Sequence, residues 1–235
     1  MFLLREPARQ EQAGLSADKR PGLMVALQYI RADAGLFTGF VAIVCVMSIV
    51  AYSQGWLPAM FERTWGWPPE KYAIWNGVMM LAIGPLTVNL TGWYIDKLFN
   101  RGYQDAPVRL MILGTLIMVP TGIVAPLMPS GELAFAVYAL NLVGIAMISA
   151  AAPTALLNIT AGEIRSQIIA IYFLIIGVTG LMLGPTAVGL LNDNVTGVEG
   201  IKYSVALVPA VFGIPVLLTL RATLRRYRQR IAGTA

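Results

Sequence analysis

Six stretches of this chain stay apolar long enough to cross a bilayer, whose hydrocarbon core takes roughly 20 helical residues. They run from Leu36 to Leu57, Tyr72 to Leu90, Val108 to Met128, Leu133 to Leu156, Ile168 to Leu191 and Tyr203 to Leu220. Backbone N–H and C=O groups in lipid find no water, so each must bond within its own segment. With no alternating strand pattern present, that requirement means helix. The whole is 57% hydrophobic and 12% charged over 235 residues, more apolar than a soluble domain's surface could cover.

The charges fall between the apolar runs and fix an expected orientation. One side collects Arg5, Arg9, Lys19, Arg20, Arg31, Lys97, Arg101, Arg109, Arg165 and the five arginines from Arg221 to Arg230. The other holds Arg63, Lys71 and Lys202, a ratio of 14 to 3, so the positive-inside rule places both termini in the cytoplasm. The same rule absorbs the net charge of +5, which gives no reason to expect nucleic acid as a partner. Arg225, Arg226, Arg228 and Arg230 follow a span directly and suit orientation and contact with lipid headgroups.

Several kinds of chemistry are excluded by counting. A lone cysteine, Cys45, permits no intrachain disulfide and no cysteine zinc cluster. The absence of histidine removes histidine metal ligands, general bases and proton relays. No Asp, Glu, Lys or Arg lies mid-span, where ionisable groups are costly and mark function. No enzyme activity, cofactor or metal is expected. The opening MFLLREPARQEQ lacks the order of a cleavable secretory signal.

Three connections stand out. Met60 to Lys71 holds Trp65 and Trp67 close to Trp56, with Pro68 and Pro69, and reads as an interfacial aromatic belt. Gly92 to Pro107 is polar, and Pro129 to Gly131 is a very short turn. The second connection begins Gly92-Trp-Tyr-Ile-Asp96-Lys97-Leu-Phe-Asn-Arg101-Gly102 on the basic side. This resembles the loop motif of the major facilitator superfamily, in which glycine is followed by an acid, adjacent and later cations and often a second glycine. The resemblance implies that Gly92 lets two helices approach, that Asp96 faces a helix N-terminus or a basic partner, and that Lys97 and Arg101 anchor a cytoplasmic gate.

The run from Gly177 through Gly180, Gly184-Pro185 and Gly189 to Asp193 has small residues at packing spacing and a proline that removes one backbone bond. It is similar to the eleventh span of facilitators. Gly84-Pro85 in the second span would correspond to Gly184-Pro185 if the chain is two inverted triplets of helices, as each facilitator half is built. Leu4-Arg5-Glu6-Pro7-Ala8-Arg9 resembles the exit from span six of spinster-like members, and Arg165 sits where those proteins carry a loop arginine.

The resemblance covers almost the whole chain as a C-terminal half, spans seven to twelve. It implies an all-α membrane fold of six helices, with residues 1–35 as a cytoplasmic central-loop segment, 36–222 as the bundle and 223–235 as a basic tail. Its expected partners are the lipid bilayer, an N-terminal six-helix half in the same or another chain, and a small-molecule solute. The cell membrane is the expected location. Family position favours Tyr52, Gln54 and Asn141 as cavity residues, with Asn76 a further polar candidate at the start of the second span. For each, an interhelical hydrogen bond or simple packing is the competing account. The implied function is secondary transport of a small organic or amphipathic solute by alternating access, with a non-transporting scaffold that keeps the fold as the alternative.

Overall fold

A computed structural model of the chain describes residues 23–233. The stretch Leu4 to Arg9, with Lys19 and Arg20, lies outside the described residues. Among the described residues eight α-helices follow one another: α1 Leu23–Ala32, α2 Ala34–Ser53, α3 Leu57–Trp65, α4 Pro69–Phe99, α5 Ala106–Val124, α6 Gly131–Ile159, α7 Arg165–Leu191 and α8 Ile201–Ala232. Short 3-10 turns join α2 to α3 and extend α5, so six continuous rods are long and apolar enough to cross a membrane.

Three rods run further than hydropathy suggests. The first continues through Gln54–Trp56 into α3, because Pro58 stands in the first turn of α3, where a missing N–H costs nothing. Left-handed Gly66 (φ 66°) then stops it, with Gly66 N bonding Glu62 O and Trp67 N bonding Phe61 O. Met60 to Lys71, expected as a connection, is therefore mostly helix. That turn folds Trp67 back into the protein, where it is buried instead of lying in an interfacial belt. Similarly, α4 continues to Phe99, so Gly92, Asp96 and Lys97 ride on its last two turns, and the connection proper is residues 100–105. In the same way, α8 carries its arginines on unbroken helix to Ala232.

Packing follows a twofold logic. Helix α4 packs on α6 while α7 packs on α2; α5 packs on α6 while α8 packs on α2; and α5 meets α8 between them. Exchanging the triplet α2/α3, α4, α5 for the triplet α6, α7, α8 maps this pattern onto itself. Because each triplet has three spans, the second begins on the opposite side of the membrane from the first, which makes the repeat an inverted one. Glycines set the closest crossing: a Cβ on Gly144 would lie 2.7 Å from Gly114 O, and one on Gly114 would lie 2.8 Å from Gly144 O, so α5 and α6 touch backbone to backbone.

Two cores result. The larger runs from Phe37 and Phe40 through Met111, Met118 and Ile148 to Tyr227 at the arginine-rich end; the smaller gathers Met60, Phe61, Trp67, Tyr72 and Tyr138 at the other. Of the six rods, those of α4 and α7 are the least buried, and their large apolar residues, such as Ile74, Leu81, Leu174 and Leu181, stay exposed.

Candidate functional site

The polar residues of the spans split into two groups. Gln54 and Asn141 meet at the aromatic end: Gln54 Nε2 donates to Asn141 Oδ1 at 3.0 Å. Asn141 in turn donates Nδ2 to Met118 O at 2.7 Å and to Thr121 Oγ1 at 3.3 Å, and is fully buried. One amide thus stitches α2, α5 and α6 together. Beside it lies a void of about 10 Å3 bordered by Gln54, Asn141, Pro209 and Tyr138, room for one water and no solute. The Tyr138 hydroxyl is buried there without a hydrogen-bond partner among the described residues. Sequence reading passes over Tyr138, since a lone tyrosine in an apolar run carries no signal of its own.

Tyr52 and Asn76 stand apart from that pair. Tyr52 is 42% exposed, with its ring lying against Gly180 of α7. Asn76 is half-buried and makes only a long contact to Met80 Sδ at 3.9 Å, one turn along its own helix.

The glycine-proline run of α7 is brought against α2. A Cβ on Gly184 would lie 2.8 Å from Ile49 O and 3.0 Å from Ser53 N, and Gly180 is similarly closed by Ser48 and Tyr52. Pro185 removes the donor for Leu181 O, while Trp56 Nε1 donates to Pro185 O at 3.0 Å; the Trp56 ring also covers Gly189. At the corresponding Pro85 the carbonyl takes a 2.7 Å bond from Asn89 Nδ2 of its own helix. Here the correspondence between the two dipeptides ends: Gly84, Gly92 and Gly177 each have nothing within 4 Å of the place a Cβ would occupy.

The motif at the end of α4 makes little contact within the bundle. Asp96, Lys97 and Arg101 are exposed, Lys97 Nζ lies 4.7 Å from the Trp93 ring centroid, and Asp96 enters no salt bridge among the described residues. Gly102 (φ 85°) stops the helix, with Tyr103 N bonding Leu98 O. Arg165 donates Nε to Thr160 O at 3.1 Å and so closes the end of α6.

The acid that organises this end is Asp105. It is buried at the start of α5, accepts Arg109 Nε at 2.9 Å and Arg228 Nε at 2.5 Å, and thereby ties the first triplet to the end of α8. Burial alone would raise its pKa, but the hydrogen bonds and charge of the two arginines outweigh that and hold the carboxyl below its ordinary range. Spacing alone conceals this role, because Arg228 lies 123 positions away.

No protein-family profile matches the sequence, and no curated protein matches it either. Solved structures do. A bacterial homologue of the human lysosomal transporter Spinster, in an inward-facing and unoccupied conformation, superposes with a TM-score of 0.64 at 17% identity over 97% of this chain and 54% of its own. The occupied inward-facing form of such a homologue gives 0.59 at 18% identity over 83% of this chain and 49% of its own. The chain thus spans about half the length of the transporters it matches, and at this identity the likeness speaks for the fold alone. Six apolar rods in two inverted triplets thus give this chain the fold of about half of the bacterial Spinster homologue on which it superposes.

Proposed function

We propose that the chain is the C-terminal six-helix half of a secondary transporter, which moves a small organic or amphipathic solute by alternating access when paired with an N-terminal half. The observation that carries this reading is the uncovered small-residue surface of α4 and α7. A glycine inside a helix costs about 1 kcal/mol relative to alanine, and close approach by another helix is what offsets that in membranes. Gly114, Gly144, Gly180 and Gly184 all have such a neighbour in the chain; Gly77, Gly84, Gly92 and Gly177 have none. A second bundle seated on α4 and α7 would give the second set theirs. It would also face Asp96, Lys97 and Arg101, which then act as gate contacts between halves, and would leave Tyr52 beside the cavity.

Two bundles rocking about a midplane site are the working unit, so the test supplies both. The native product is expected to weigh about twice 25.4 kDa, or to copurify with a six-span partner. Proteoliposomes holding both halves are expected to take up a solute from a panel of organic anions and single-chain amphiphiles. Gly84→Trp should abolish uptake while leaving this bundle folded, since a Cβ there has nothing within 4 Å among the described residues. Normal folding with both halves present but no flux for any solute would replace this reading with that of a non-transporting scaffold.

A further inference from the structure

The arginine-rich end carries a cleft that helix packing leaves unfilled. It holds about 530 Å3 between the α1–α2 junction and the last turns of α8, bordered by Asp33, Gly35, Arg226, Gln229 and Arg230. Both guanidinium groups are braced from behind. Arg226 Nη1 donates to Gly35 O at 2.6 Å, and Arg230 lies 5.1 Å from the ring centroid of Tyr29, whose hydroxyl bonds Ile159 O at the end of α6. A Cβ on Gly35 would run into the Arg226 guanidinium, which would have to move away from this position. The bond to Gly35 uses one of the five N–H donors of Arg226.

Charge and depth narrow what fits. Asp33 is the carboxylate of the cleft, set against two guanidinium groups, and Arg31 and Arg225 stand exposed on neighbouring turns, while Arg228 is committed to Asp105. Arg221 is the first charge after the apolar run of α8; Arg225 and Arg226 lie about 6–8 Å further along the axis, roughly one headgroup layer. Beside them α1 exposes Met24, Val25 and Leu27. Cations adjoining apolar side chains at the end of a span match a bilayer surface better than they match water or a nucleic acid.

We propose that this cleft binds the phosphate of an anionic phospholipid through Arg226 and Arg230, with α1 lying in the headgroup layer beside it. The inference stands apart from the transport reading, because it needs only a membrane-embedded bundle. Forked guanidinium donors suit a phosphate oxygen pair, and the fixed separation of the two groups favours one headgroup over a diffuse ion cloud.

Native mass spectrometry of the full chain released from micelles, with phosphatidylglycerol, phosphatidylcholine or inorganic phosphate added, is the test. Phosphatidylglycerol adducts are expected to outlast phosphatidylcholine adducts, and Arg226→Gln with Arg230→Gln to weaken them by about fivefold per guanidinium. Arg225→Gln removes one charge outside the cleft and should weaken binding far less than either Arg226→Gln or Arg230→Gln alone. Gly35→Ala changes no charge but displaces Arg226, so a weakened adduct in that variant supports the site even where the double variant fails to fold. Equal losses in Arg225→Gln and the double variant, or unchanged binding in Gly35→Ala, would overturn the proposal. So would displacement of the lipid by inorganic phosphate, which would mark a free-anion site.

Discussion

At one end of the bundle a buried carboxylate, Asp105, joins α5 to α8 through Arg228 and also holds Arg109 of α5, while Tyr227 donates to Ala155 O and Arg226 to Gly35 O. At the other end Phe61 sits among Trp65, Trp67, Tyr72, Phe135 and Tyr138, with ring centroids 4.8 to 6.2 Å away, and joins α3, α4 and α6. The Asp105 and Arg226 contacts at the first end and the aromatic cluster at the second both fasten one helix triplet to the other, while the Tyr227 bond ties α8 to α6 within the second triplet. The difference lies in what each end can recruit. Where arginines gather, a carboxylate can close the seam; where cations are scarce, ring packing closes it instead. The first seam is therefore expected to respond to salt and acid, and the second is not.

The largest effect is expected at the aromatic seam. Phe61→Ala should cost about 3 kcal/mol, the low end for a buried phenylalanine, since lipid is as apolar as the core and packing is what is lost. Unfolding by titration with denaturing detergent, run at low and high ionic strength, should show the same loss in both. A loss that shrinks with salt would mean that charge contributes to this end too.

At the ionic seam, Asp105→Asn should cost about 1–2 kcal/mol, because the carboxylate is buried but its arginine partners are about half exposed and partly screened. High salt should narrow the gap from wild type. The sign with pH follows from the depressed carboxyl: its stabilisation is present above the ordinary value of 3.8 and is lost as pH falls through the lower folded value. Acid should therefore destabilise the wild type toward the variant. Equal acid sensitivity in both would remove Asp105 from the seam.

Sequence reading reached these two seams unequally. Six spans were legible, because lipid without an alternating strand pattern leaves only helices and charges mark their ends, whereas the inverted triplets were an expectation from the family resemblance. Span ends were less legible: helix α4 carries Asp96 and Lys97 beyond the apolar run, and hydropathy cannot tell a charged last turn from a loop. Trp67 reads as an interfacial tryptophan from composition, and only the left-handed turn at Gly66 turns it inward. Gly114 and Gly144 carry the tightest crossing, yet among 23 glycines nothing local sets them apart. The run at Gly180 and Gly184 was readable because its spacing repeats. Gln54 and Asn141 stood out as polar residues in apolar surroundings, but that signal alone does not separate a cavity wall from the interhelical bond they form.

A smaller effect tests whether the arginine-rich end is ionic throughout. Tyr227→Phe deletes a 3.0 Å bond to Ala155 O between buried groups and should cost about 0.6–1 kcal/mol, as interhelical hydrogen bonds do in membranes. Its loss should not respond to salt, in contrast to Asp105→Asn at the same end. If the two variants respond alike, the hydroxyl and the carboxylate belong to one coupled network.

The smallest effect comes from an ion pair at the wrong end. Lys71 Nζ lies 3.5 Å from Glu132 Oε1, beside the aromatic seam, with side chains 42% and 68% exposed. Water solvates both groups about as well as they solvate each other, so the pair holds little of its Coulomb energy. Lys71 also stands 3.8 Å from the Trp67 ring centroid, so it keeps a partner when the carboxylate goes. Glu132→Gln should therefore leave the unfolding midpoint unchanged at any salt, whereas Lys71→Met, which also bares the Trp67 face, should lower it measurably. A clear loss in Glu132→Gln would show that this end relies on charge as well, and the contrast between the seams would then rest on the number of cations alone.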